Sequence, residues 1–179
     1  IHCVGDSLDA LRNTLNEAAK NNDIILTSGG VSMGEWDLVR KIMEDEGDIH
    51  FWRVKLRPGS PPLFGLWQNT PIFGLPGNPV SSHVVFRMLV APWIRNITAA
   101  TGPIESRANA TLSTAVKPTK DCLTLRRVSI EMTENGLLAH QNIHQGSGNL
   151  ASMALSEGMV ILQPGQESAI GDKVEVIFL

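Results

Sequence analysis

Apolar residues first recur at helical spacing. Leu8, Leu11, Leu15 and Ala18 fall on one stripe, and Asp6 or Ser7 stands at an N-cap position, so the pattern predicts a helix through Ala19. Asp23 to Thr27 reads as a short, doubly buried strand, ending at Ser28-Gly29-Gly30-Val31-Ser32-Met33-Gly34. A second helix is expected from about Glu35 to Glu46, with Val39, Ile42 and Met43 inward and Gly47 as the stop. Ile49 to Leu56 looks extended. Leu63–Trp67 and Pro71–Leu75 read as strands around Gln68-Asn69-Thr70, and Pro76-Gly77-Asn78-Pro79 breaks the second one. A long helix is expected from Val80 to Ile97, with a kink at Pro92. Alternating strands and helices imply an α/β layer with parallel pairing, whose strand ends carry the glycine-rich turns.

The pattern changes near Ala99-Ala100-Thr101-Gly102-Pro103. Beyond it no helix is expected. Asn109–Lys117, Leu123–Met132, Leu137–His140, Met159–Leu162 and Lys173–Leu179 read as strands, with Asn135-Gly136 as a hairpin signal. The expected organisation is an α/β domain over 1–98 and a small all-β barrel-like domain over 99–179.

Composition narrows the function. Apolar residues make up 42% and charged residues 18% of the 179, which suits packed cores. A net charge of -3 without a basic run argues against a nucleic-acid partner. No apolar run approaches the ~18 residues of a membrane span. Cys3 and Cys122 are expected as reduced, buried thiols in a cytoplasmic protein. The histidines show no zinc spacing, and Asn96-Ile97-Thr98 and Asn109-Ala110-Thr111 are formal sequons of a kind common by chance.

Thr27 to Asp37 holds the first candidate chemistry. Paired glycines allow positive φ and expose N–H groups that suit an anion, and the following helix start adds partial positive charge. Thr27, Ser28 and Ser32 offer hydroxyls, while Asp37 suits a bridging cation. The other reading is an ordinary tight turn, with Asp37 complementing the helix dipole. At Pro76–Ser82, Asn78, Ser81 and Ser82 either serve a phosphate or simply cap the helix. Lys55 and Arg57 share one face before Pro58-Gly59-Ser60-Pro61-Pro62, as an oxyanion site or as a solvated pair. Arg126 and Arg127 point to opposite faces of their strand, and Gln145–Asn149 is a polar loop whose Ser147 either donates to an anion or merely connects.

In combination, T-S-G-G-V-S-M-G-E-W-D, L-R-P-G-S-P-P-L-F-G and F-G-L-P-G-N-P-V-S-S resemble the MoeA and gephyrin E-domain family of molybdopterin molybdenumtransferases. H-Q-G-S-G-N-L-A-S-M-A and A-I-G-D-K-V-E-V-I-F-L fit the tail of that family. The resemblance implies a three-layer α/β domain of the MogA type lacking its first strand, followed by a β-barrel domain. It implies further amino-terminal domains, a homodimer when full length, and a molybdopterin adenylyltransferase as a partner. The implied reaction inserts molybdate into adenylylated molybdopterin with Mg2+, releasing AMP and molybdenum cofactor. Thr27, Ser28, Gly29, Gly30, Ser32, Pro76, Gly77, Asn78, Pro79 and Ser81 would hold the pterin substrate. Asp37 and Ser32 would be catalytic, with Asp37 also on the metal, and Arg57, Ser60, Arg127 and Ser147 would lie at the molybdate. Ser60 departs from a lysine that many members carry. The alternatives are a pterin-binding module without catalysis and a scaffold like gephyrin's E domain.

Overall fold

A computed structural model describes residues 2–32, 37–103 and 105–179. The chain forms two compact units, one of residues 1–54 and 59–86, the other of residues 55–58 and 87–179.

In the first unit, α1 (Leu8–Asn21) starts where Ser7 Oγ accepts the Ala10 N–H, as the capping pattern predicts. The described part of α2 is Leu38–Glu46, so the expected start at Glu35 lies outside the described residues. Gly47 ends it by donating its N–H to Met43 O, but with φ -99 rather than a left-handed cap. The strands β1 (Ile25–Ser28), β2 (Asp48–Trp52), β4 (Leu63–Trp67) and β5 (Thr70–Leu75) form one sheet in the order β1-β5-β4-β2. Leu11, Leu15, Val39, Ile42 and Met43 of the helices pack on Ile25, Leu63, Trp67 and Ile72, and each fully buried aliphatic side chain contributes about 1.5–3 kcal/mol. Arg12 ties α1 to α2 through a two-pronged pair with Glu46.

Two expectations need correction here. The sheet is mixed, because β1 and β5 are parallel while β5–β4 and β4–β2 are antiparallel. The reason is local: Gln68 and Asn69, at φ 49 and 66, make a two-residue turn that can only join antiparallel strands. The first strand is also not doubly buried, since Ile25 is inside but Leu26 is 44% exposed on an edge strand. On the end of β5, α3 (Pro79–Val85) contributes buried Val80, Val84 and Val85.

The expected long helix is interrupted: Phe86–Val90 is a π-helical turn and α4 (Ala91–Ile97) follows. Pro92 has no N–H for the carbonyl four residues back, so the ladder must change register near it. The extended run after Ile49 also divides. β2 stays in the first sheet, while β3 (Leu56–Arg57) pairs parallel with β7 (Leu123–Thr133) in the second unit.

In that unit β6 (Arg107–Leu112), β7, β8 (Gly136–His140), β9 (Gly158–Leu162) and β10 (Lys173–Phe178) close a barrel. The order is β7-β8-β6-β10-β9, with β9 returning to β7. Closure removes the open edges of those strands. Leu112, Val128, Ala139, Val160, Leu162, Val174 and Val176 fill the interior. Glu134-Asn135 turns the β7–β8 hairpin before Gly136 at φ 108, as its sequence signals. The strand expected over Asn109–Lys117 stops at Leu112, leaving Val116 in a single bridge to Ser168. One short helix, α5 (Leu150–Ala154), occurs where none was expected, capped by Asn149 Oδ1 on Ser152 N–H. Among the described residues no helix is long and apolar enough to cross a membrane.

Candidate functional site

The parallel pair β1–β5 ends at Ser28 opposite Leu75, so the Gly29-Gly30 and Pro76-Gly77 turns leave from neighbouring strand ends. The Gly29 N–H donates to Leu75 O at 2.9 Å. A Cβ on Gly77 would stand 3.6 Å from the Gly29 Cα, which places the two turns in direct apposition. Gly29 and Gly30 take φ 89 and 69, a region that excludes most side chains.

The Gly29 amide is thus committed to the sheet, but the next ones are not. Among the described residues, the N–H groups of Gly30, Val31 and Ser32 have no hydrogen-bond acceptor. The Gly30 carbonyl accepts the Arg40 N–H at 2.9 Å, and the Val31 carbonyl accepts the Trp52 indole N–H at 2.9 Å. Thr27 Oγ1 is buried without a hydrogen-bond partner among the described residues, while Ser28 and Ser32 are exposed. Asp37 holds the N-cap position of α2 at φ -80, yet its side chain makes no capping bond.

In the second turn, Asn78 occupies the N-cap of α3 and Pro79 its first position. The Asn78 side chain makes no capping bond, Ser81 is buried in the helix, and Ser82 Oγ donates to Pro76 O. Ser82 therefore stiffens the turn from within.

The residues expected at molybdate divide between the units. Ser60 lies in the first unit, where its hydroxyl donates to Val54 O at 3.2 Å and its carbonyl accepts the Val54 N–H at 3.0 Å. Arg57, Arg127 and Ser147 lie in the second. Arg57 is exposed on β3 opposite Thr124, with Leu56 buried beside it.

Arg127 is only 1% exposed. Its Nη2 donates to His144 O at 2.9 Å and Gly146 O at 3.1 Å, while Nε is buried without a hydrogen-bond partner. Burial lowers the guanidinium pKa, and neighbouring Arg126 lowers it further. Among the described residues no carboxylate is paired with it. A buried cation held only by carbonyls is costly alone and favours an incoming anion. Arg126, by contrast, lies on the other face and donates from Nε and Nη2 to Lys117 O.

Two contributors were not legible from the motifs. The Gln145 amide brackets the Arg127 peptide, accepting its N–H at 3.0 Å and donating to its carbonyl at 2.9 Å. That gives the loop a fixed relation to the arginine, for which the only sequence hint is a glutamine beside glycines. Trp52 reaches the glycine loop from the end of β2, and nothing in the sequence links the two.

A family model described as "Probable molybdopterin binding domain" matches residues 1–96, and one described as "MoeA C-terminal region (domain IV)" matches residues 109–179. The molybdopterin molybdenumtransferase of Haemophilus influenzae is 33% identical over 150 residues, covering 82% of this chain and 37% of the relative. The enzyme of that name from Bacillus subtilis is 30% identical, covering 98% of this chain and 41% of the relative. A solved structure of the molybdopterin biosynthesis MoeA protein from Pyrococcus horikoshii superposes with TM-score 0.79 at 27% identity, over 98% of this chain and 42% of that one. The chain thus spans about two-fifths of the length of these relatives.

Proposed function

Because this chain belongs to the MoeA-like family of molybdenum-cofactor biosynthesis proteins, we propose that it is the part of a molybdopterin molybdenumtransferase that binds adenylylated molybdopterin and molybdate. The observation that carries this reading is the apposition of the two glycine turns beside amides that have no described acceptor. Amides of Gly30, Val31 and Ser32 receive the phosphate or pyrophosphate of the substrate. Thr27, Ser28 and Ser81 border the cradle, and the turn from Pro76 through Gly77, Asn78 and Pro79 closes it. Arg127, with Arg57 and Ser147, serves the molybdate oxyanion. Each charge-assisted bond there contributes about 1.5–3 kcal/mol when shielded from water.

The reaction brings two anions together. At ~4 Å and an effective dielectric near 20, each pair of unit charges repels by about 4 kcal/mol. The main work of the full-length protein is to offset that repulsion with fixed donors and to orient the pyrophosphate for cleavage.

A magnesium ion suits this donor set in one way only. No group of three or more histidine, cysteine or carboxylate side chains gathers among the described residues, so these residues form no cage of their own. Mg2+ commonly takes one or two carboxylates and completes its shell with substrate phosphates and water. Asp37, at the N-cap of α2, would be that carboxylate, and a bound ion would supply charge neutralisation at the pyrophosphate.

The test is to supply the full-length protein with adenylylated molybdopterin, magnesium and molybdate and to follow AMP release. Turnover that disappears in Asp37→Asn while AMP still binds supports the reading. An intact wild-type protein that releases no AMP overturns it in favour of a passive pterin binder.

A further inference from the structure

Trp52 stands at the end of β2, with the guanidinium carbons of Arg40 and Arg53 at 4.8 and 4.6 Å from its ring centroid. Arg53 itself sits at φ 71, a conformation that non-glycine residues rarely adopt. The indole N–H donates to Val31 O at 2.9 Å, and the Arg40 backbone N–H donates to Gly30 O at 2.9 Å.

In a planar trans peptide the carbonyl and the N–H point in opposite directions. The Gly30 carbonyl shares its plane with the Val31 N–H, and the Val31 carbonyl shares its plane with the Ser32 N–H. Drawing both carbonyls toward α2 and Trp52 turns these two N–H groups the other way. The Val31 side chain is 1% exposed, and a Cβ on Gly74 would meet its Cγ1 at 2.5 Å, so the loop residue is wedged against β5. If the Val31–Ser32 peptide flipped, a carbonyl oxygen would replace an N–H at the anion.

We propose that Trp52 is a positioning residue for anion binding. Its indole fixes the Val31–Ser32 peptide so that the Ser32 N–H meets an oxygen of a phosphate or pyrophosphate, and the two flanking guanidinium groups hold the indole in place. This rests on the cradle proposed above and adds the device that sets its polarity.

The experiment titrates inorganic pyrophosphate into this chain, reading affinity by calorimetry and the Gly30, Val31 and Ser32 amides by NMR. Trp52→Phe keeps an aromatic ring and removes the donor. Its affinity is expected to fall roughly 10- to 100-fold, with loss of the Ser32 amide shift. Trp67→Phe is the control, since Trp67 is buried in the same unit and donates to Asn16 Oδ1 instead. It should bind pyrophosphate as wild type does. Equal affinity in Trp52→Phe and wild type overturns the assignment, as does an equal loss in both variants, which would mean general loosening. Wild-type amides that ignore pyrophosphate sink the cradle itself and this inference with it. Should Trp52→Phe not fold, hydrogen exchange of the Trp52 indole in wild type decides. Linkage requires that exchange to slow at saturating pyrophosphate, and an unchanged rate refutes the proposal.

Discussion

Replacing Gly30 with alanine should damage the protein more than the same change at Gly29, although both residues have positive φ. Forcing an L side chain into the left-handed region costs roughly 1–2 kcal/mol at either position. At Gly29 the new Cβ meets nothing within 4 Å, so that is the whole cost. At Gly30 it would stand 3.0 Å from Val39 Cγ2 and 3.3 Å from the Val39 backbone nitrogen. Val39 is a buried, β-branched residue on α2, and such a side chain has essentially one rotamer in a helix. The helix or the loop must therefore shift, and overpacking of this kind adds about 1–3 kcal/mol. Gly30→Ala should lose roughly 2–5 kcal/mol and Gly29→Ala roughly 1–2 kcal/mol. With a urea slope near 1–3 kcal/mol per molar, the two midpoints should separate by about 1 M. Tryptophan fluorescence reports the transition, since Trp52 and Trp67 lie in the affected unit. The displaced Gly30 carbonyl should also weaken pyrophosphate binding. A Gly30→Ala midpoint at or above that of Gly29→Ala would refute the packing argument.

Two further outcomes follow from particular side chains. Arg127→Met keeps the bulk but drops a buried charge that no described carboxylate compensates, so stability should change by no more than about 2 kcal/mol in either direction. Molybdate affinity measured by calorimetry should fall roughly 10- to 100-fold, and an unchanged affinity would remove Arg127 from the oxyanion site. The hydrogen bonds from Arg12 hold the Glu46 carboxyl below its usual 4.5. A folded-state pKa lowered in this way stabilises the protein above the unfolded value, and that contribution is lost as pH falls through the folded one. Wild type should thus melt above Glu46→Gln at pH 6, the gap closing as pH drops below about 4.5 and through the lowered folded-state value. A gap that persists or widens at low pH would show that Arg12 and Glu46 are not coupled in solution.

Features that depend on a few consecutive residues are legible along the chain. Ser7 before an apolar stripe, Gln68-Asn69 between two strands, Asn135-Gly136 in a hairpin and the paired glycines after Ser28 each act on the backbone locally, by capping, by turning it or by permitting positive φ. The motif order carried the family, and with it the α/β unit and the barrel. Tertiary structure decided what depends on partners far along the chain. The extended run from Ile49 to Leu56 reads as one element, yet β2 finds β4 and β3 finds β7, because strands are completed by non-local hydrogen bonds. Alternation showed that Arg126 and Arg127 part company, but only the fold brings the 144–146 loop to Arg127, with the His144 and Gly146 carbonyls as its partners. The bond from Trp52 to Val31 spans 21 residues and belongs to no motif. Periodicity and turn chemistry act over a few residues, whereas the direction in which a loop amide points is fixed by whatever accepts or donates across the fold.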